Sequence, residues 1–445
     1  MALNRSTLVY YGLTELPVMM SIFPVLVFVP KYYTSDLGVP LALASSIILA
    51  VRIVDVFTDP LCGYLCDRTN TRWGRRRPWI VAATPILMLS VYKLFLPPDD
   101  ADGFYLGLWM LVMGVGTTMI LIPYYAWAAE LSSDYDERSR ITGVRSMMGV
   151  VGNFLVQFIP LLALWFWGIG GSGSVLTIVG ITLLVVMPVC VLLTVVNVGE
   201  STDFESTQVP LLDGIKLMLN NGPFLRLIMA FGIGSTALSM TTPLYLFFIA
   251  FVLDAEDKAP YMLACFYTAN LCSVPFWVWL SERIGKHRAY IGSFCIIAFA
   301  HPLYLLLGEG DFWWMLPITL LTGFAAGGFH ALPNSMKADV IDYDHLQSGE
   351  NRAGVFFATW SFTFKLAASF GTWLALAGLG WFDFNPSPER VNTPEQLFGL
   401  RFLFALAPSV FYLGACMVIW RYPITREKHA EVRAELNKLG AAAAT

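Results

Sequence analysis

Residues 128–143 read AAELSSDYDERSRITG, and residues 337–354 read KADVIDYDHLQSGENRAG. Each places an acid after alanine, then Asp-Tyr-Asp, then an arginine, and each is flanked by long apolar stretches. A second pair of segments recurs in the same relation: CDRTNTRWGRRRPW at 66–79 and the shorter SERIGKHRAY at 281–290. Charged turns that recur this way mark an internal duplication, and the number of apolar stretches between them sets the size of the repeated unit.

Twelve apolar stretches approach the length of about 20 residues that crosses a bilayer as a helix. They lie near 8–30, 41–65, 78–96, 104–128, 143–167, 174–197, 224–251, 260–281, 288–307, 312–335, 353–380 and 399–420. Composition agrees: 56% of residues are hydrophobic and 13% charged, with a mean hydropathy of +0.62, which excludes an ordinary soluble domain. The first stretch is too long, and too poor in small-residue cleavage signals, for a removable signal peptide; it reads as a retained helix. The matching turns follow stretches four and ten, and two and eight, so the repeat is six plus six. The expected architecture is an all-α membrane protein of twelve transmembrane helices, with an N-terminal six-helix half at 1–197, a polar connector at 198–223, a C-terminal six-helix half at 224–420 and a tail at 421–445. Parallel six-helix halves around a midplane site describe the major facilitator fold.

Basic residues cluster in alternate turns. Arg68, Arg72, Arg75, Arg76 and Arg77 follow the second span, Arg138 and Arg140 the fourth, and Arg283, Lys286 and Arg288 the eighth; Lys216 lies between the sixth and seventh. Lys337 and Arg352 flank the turn after the tenth, and Arg421, Arg426, Lys428, Arg433 and Lys438 follow the twelfth. The intervening turns PPDDADG, GIGGSGS and GEGD hold no Lys or Arg. The positive-inside rule then makes both termini cytoplasmic, in the cell (inner) membrane. The net charge of -4 gives no nucleic-acid reading. Seven cysteines, all in or beside apolar spans, read as packing residues rather than a disulfide framework. The five histidines show no zinc spacing, and no nucleophile-base constellation points to an enzyme.

One span carries chemistry. Asp55 and Asp59, in DVFTDP at 55–60, stand four residues apart inside the second stretch. Each ionisable group at membrane depth costs about 2.5–3.5 kcal/mol on insertion scales. At i and i+4 the two share a helix face, so they repel, and one must hold a proton or both must share a cation. Thr58 adds a hydroxyl oxygen, which suits a hard cation such as Na+. The alternative is an architectural network in which Arg52, three residues before Asp55, neutralises one acid.

The stretch RIVDVFTDPLCGYLCDRTNTRWGRRRPWI at 52–80 resembles the signature of the glycoside-pentoside-hexuronide:cation symporters, the melibiose permease family. The likeness continues through PYYAWAAELSSDYDERSR, KADVIDYDHLQSGENRAG and the lysine of SFTFKLAASFG, and so samples both halves. It implies a cation site at Asp55, Asp59, Thr58 and Thr118. The best-studied members carry Asn where Thr58 stands, which leaves Na+ or H+ open as the coupling ion. The resemblance also implies solute contacts at Arg145 and Lys365, and aligns Met19, Leu121 and Tyr125 with the family's two sugar-binding acids and its stacking tryptophan; Tyr124 lies beside them. Glu15 is one turn from Met19 and reads equally as a gate charge. Arg75, Glu130, Asp134 and Asp339 are expected to form salt bridges between turns, with Arg52 structural.

The expected function is cation-coupled import of a small sugar-derived solute by alternating access, with no cofactor beyond the ion, no nucleic-acid partner and a monomer in the bilayer. Because Met19 and Leu121 replace acids while Arg145 and Lys365 persist, the expected solute is anionic, a uronide or acidic glycoside. The rival within transport is an amphipathic lipid such as a lysolipid. A receptor or scaffold would need no intramembrane acid pair.

Overall fold

The computed structural model describes residues 4–69, 71–132, 135–168, 171–200, 221–348, 353–387 and 391–443. Twelve helical segments are long and apolar enough to cross a membrane. They are α1 (Arg5–Asp36), α2 (Leu41–Arg68), α3 (Arg77–Phe95), α4 (Gly103–Ala128), α5 (Arg140–Trp167), α6 (Ser172–Asn197), α7 (Gly222–Phe251), α8 (Glu256–Ile284), α9 (Lys286–Leu306), α10 (Phe312–Ser348), α11 (Phe356–Trp381) and α12 (Pro394–Ile419). A thirteenth helix, α13 (Arg426–Ala443), follows. Most of the expected connector, 201–220, and Asp134 lie outside the described residues.

α10 overruns the expected span because a helix continues through KADVIDYDH, where hydropathy falls but no Gly or Pro intervenes. Lys337 and Asp339, expected in or beside a turn, are therefore helical and buried. The tail is likewise not a free strand: α13 docks on α10, with His429 Nε2 3.2 Å from Asp342 and 3.3 Å from Asp339.

The duplication is visible in the packing. In a bilayer, helices associate through close contact rather than through release of water, so small residues mark the seams. A Cβ placed on Gly152 of α5 would stand 2.3 Å from the Leu16 carbonyl of α1, and one on Gly371 of α11 would stand 2.3 Å from the Thr236 carbonyl of α7. These are the same helix pair in each half. The charged turns match too. Arg76 of the first half, 2% exposed, donates to Glu130 at 2.6 Å and to Asp67 at 2.5 Å, with Arg75 at 3.4 Å from Glu130. Lys286 of the second half donates to Asp339 at 2.7 Å. The chain beyond α6 adds Glu200, whose carboxylate accepts the backbone N–H groups of Arg75 and Arg76 at 2.6 and 2.7 Å, at the N-terminal end of α3. Gly74 makes room for it: its φ is +107°, and a Cβ would fall 1.9 Å from Glu200.

The apolar core shows how the halves meet. One cluster joins Val18, Leu87, Ile120 and Leu183 of the first half to Leu244, Phe248, Leu263, Leu376 and Phe404 of the second. A separate cluster, including Trp277, Tyr290, Phe329, Met336 and Trp360, belongs to the second half alone, on the side of the arginine-rich turns. The halves thus share a core at the end away from those turns and hold separate cores at the basic face. At the shared end Lys31, closing α1, donates to Glu256, opening α8, and Ser172 of α6 donates to the same carboxylate at 3.1 Å.

Candidate functional site

The two acids of α2 face inward, with Asp55 3% exposed. Arg52 Nη1 donates to Asp55 Oδ2 at 2.9 Å, while Asp55 Oδ1 is buried with no hydrogen-bond partner among the described residues. Gly114 of α4 lies against that oxygen, since a Cβ there would be only 2.9 Å away. One helical turn further along α4, Thr118 donates its hydroxyl to Asp59 Oδ1 at 2.8 Å. Lys365 of α11, from the other half, donates to Asp59 Oδ2. Thr58 turns its hydroxyl back to the Asp55 carbonyl at 3.4 Å. An orphaned buried carboxylate oxygen is costly. A hard cation or a proton would satisfy it, with the oxygens of Asp59, Thr58 and Thr118 on the same pair of helices as further candidate donors.

A second group lies between α1, α4 and α5. Tyr125, 38% exposed, donates its hydroxyl to Glu15 Oε1 at 3.0 Å, and the Arg145 guanidinium stacks 4.0 Å over the Tyr125 ring. Glu15 and Arg145 are close enough to interact electrostatically. Glu15 Oε2 and Arg145 Nε are both buried without a hydrogen-bond partner among the described residues. Gly149 of α5 seats Glu15 and Met19 together: its Cβ would lie 3.1 Å from Glu15 Cγ and 3.3 Å from Met19 Cγ. Leu121, one turn before Tyr125, is half-buried.

Two expectations need correction. Tyr124 cannot face a solute: it is fully buried, and it and Tyr11 stack at 4.6 Å while each donates its hydroxyl to the other's carbonyl. Nor is Lys365 an unpaired cation, because Asp59 pairs with it; Arg145 makes no ion pair among the described residues, but Glu15 lies near enough to offset its charge. Together the two groups hold three acids, Glu15, Asp55 and Asp59, and three bases, Arg52, Arg145 and Lys365, whose formal charges cancel. Glu15 is buried against Tyr125 and Met19 rather than standing free at a helix end. Gly114, which makes space at Asp55, carries no signal in the sequence that sets it apart from other glycines.

The family model for MFS/sugar transport proteins matches residues 10–426. The chain is 26% identical to the sodium-dependent lysophosphatidylcholine symporter 1 of Mus musculus, over 92% of this chain and 84% of that protein. It is 25% identical to the glucuronide carrier protein homolog of Escherichia coli strain K12, over 98% and 96%. In structure it resembles the nucleoside transporter NupG at a TM-score of 0.68, with 14% identity over 94% of this chain and 100% of that one, a likeness of fold alone. Its motifs, its twelve spans and the match over nearly its whole length place this chain in the MFS/sugar transport protein family, among the melibiose permease-like symporters.

Proposed function

We propose that this protein is a cation-coupled symporter that imports a small sugar-derived solute bearing an anionic group, with the basic face in the cytoplasm and the Lys31–Glu256 contact closing the outer side. The observation that carries this reading is the charge balance around Asp55 and Asp59. A cation arriving at the bare Asp55 oxygen and at Asp59 displaces Lys365 and leaves the site one positive charge in excess. An anionic group then restores neutrality, with Arg145 able to grip it through two N–H groups and Lys365 acting as a point charge. Neutral-sugar members of the family offset these cations with further acids, and Met19 and Leu121 stand in their places here.

Each ligand favours the other under this scheme, which is the thermodynamic content of coupling. Oxygen donors suit a hard cation such as Na+, and a proton on Asp55 or Asp59 serves the same charge role. Thermal stability of the purified protein, read with methyl β-D-glucuronide, methyl β-D-glucoside and lysophosphatidylcholine in Na+ and in choline, tests the reading. The glucuronide should stabilise the protein more in Na+ than in choline, or, for proton coupling, more at low pH. Stabilisation by the glucoside alone would refute the anionic solute. Stabilisation by the lysolipid alone would replace the sugar with the kind of solute named for the mouse relative, whose phosphate could meet the same two bases.

A further inference from the structure

We propose that α10 carries a second anion station, formed by His330, Asn334 and Lys337 with Asn270 of α8, which receives the solute's anionic group after it leaves Arg145 and Lys365. The identity of the ligand rests on the reading above; the station itself rests on separate residues.

His330, Asn334 and Lys337 stand at i, i+4 and i+7 and so share one face of α10. His330 carries accessible surface within α10. Asn334 is likewise exposed, and Asn270 half-buried, within apolar spans. Polar side chains exposed at membrane depth face water rather than lipid. His330 Nδ1 lies 2.9 Å from the Ala326 carbonyl and 3.4 Å from the Asn270 amide nitrogen; with its hydrogen on Nδ1 the ring donates to the carbonyl, and Nε2 is the nitrogen able to accept. Asn334 donates to the His330 carbonyl at 3.2 Å and accepts from Lys337 Nζ at 3.3 Å.

Lys337 is the decisive member. It is 4% exposed, yet among the described residues no carboxylate pairs with it. Its ammonium lies 4.2 Å over Phe357 and 4.8 Å over Trp360, so among the described residues ring faces and one amide oxygen are its compensation. A cation buried this far without a counter-ion is costly, and an arriving anion removes that cost. Phe357, which covers it, is 55% exposed and can swing aside. The stripe runs about 10 Å along the helix from His330 towards the basic face, where the halves have separate cores. A solute released in that direction meets Lys337 on its way out.

The test is the thermal stability of the full-length protein against D-glucuronate, methyl phosphate and methyl β-D-glucoside. Lys337→Met should weaken the apparent affinity for an anion by about tenfold or more, the scale of losing a charge-assisted hydrogen bond. Lys337→Arg should preserve it, and any response to the glucoside should be the same in all variants. Asn334→Asp, which puts a carboxylate beside Lys337 without emptying the core, should abolish the station's share of the anion response and serves if Lys337→Met fails to fold. Equal anion affinity in wild type and Asn334→Asp, equal loss for the glucoside, or no response of the wild type to either anion overturns the station. Dependence on Lys337 without any dependence on Na+ or pH would leave the station standing and remove the coupling reading instead.

Discussion

Lys365 of the second half pairs with Asp59 of the first, across 306 residues of sequence, and the same carboxylate accepts the Thr118 hydroxyl. One carboxylate therefore ties the halves together. On the proposed scheme a cation that takes the Asp59 oxygen held by Lys365 releases that contact, which links ion binding to the contact between halves.

Asp59→Asn should abolish uphill accumulation of solute while leaving downhill exchange measurable, because an amide cannot exchange Lys365 for a cation. It should also lower stability by about 1 kcal/mol, a value discounted for the partial exposure of the pair. Adding Lys365→Met to Asp59→Asn should recover that stability but not accumulation. Solute uptake in proteoliposomes, with melting curves of the same variants, checks both; concentrative uptake by Asp59→Asn would show that the pair is architectural.

Gly114→Ala places a methyl group 2.9 Å from Asp55 Oδ1 and 3.5 Å from Val51 Cγ1. The clash is with the very oxygen assigned to the cation, so the concentration of cation giving half-maximal stabilisation should rise by about tenfold, a cost of about 1.4 kcal/mol. Alanine suits a helix better than glycine, so the unliganded protein should melt no lower than wild type by more than a few degrees. Unchanged cation dependence would move the ion elsewhere.

Local pattern made part of this site legible in the sequence. Asp55 and Asp59 share a face because 3.6 residues make a turn, and spans of apolar residues announce themselves. The partners did not, since Lys365 meets Asp59, and Glu15 meets Tyr125 and Arg145, only once helices distant in sequence pack. That is why the expected surplus of buried cations failed. Tyr124 and Tyr125 are neighbours in an aromatic run, and only the helix rotation set by packing decides that one is sealed against Tyr11 while the other faces open space. Lys337 was read as flanking a turn because hydropathy fades near residue 335, whereas the helix runs on to Ser348.

Lys31 is 2% exposed and bonded to Glu256, which also accepts from Ser172, so α1, α6 and α8 meet at one carboxylate where the halves share a core. Lys31→Glu puts two acids together and should open that end, reducing transport by about tenfold or more. The exchange Lys31→Glu with Glu256→Lys should restore most of it. Labelling of a cysteine introduced at Thr34, buried in wild type, should rise in Lys31→Glu and fall back in the exchanged protein. Loss of transport with no change in labelling would make the contact a folding element rather than a closure.

Glu15 gives the sharpest test of the charge argument, because its removal should help rather than harm. Among the described residues its Oε2 is without a hydrogen-bond partner, and its Oε1 accepts from the Tyr125 hydroxyl. Glu15→Gln keeps the shape and an acceptor for Tyr125 but removes one negative charge, leaving the cation-loaded site with two positive charges in excess. Affinity for methyl β-D-glucuronide should then rise, by about threefold to tenfold for a partly solvated charge, and should depend less on the cation. Arg145→Gln runs the other way: it removes the grip on the anion and should weaken the glucuronide by more than about tenfold, with little effect on methyl β-D-glucoside. Isothermal titration of the two solutes against the two variants gives four signs to match. A Glu15→Gln protein that loses the glucuronide as fully as Arg145→Gln does would mean that Glu15 holds Arg145 in position, and that the balance of charge is not what selects the solute.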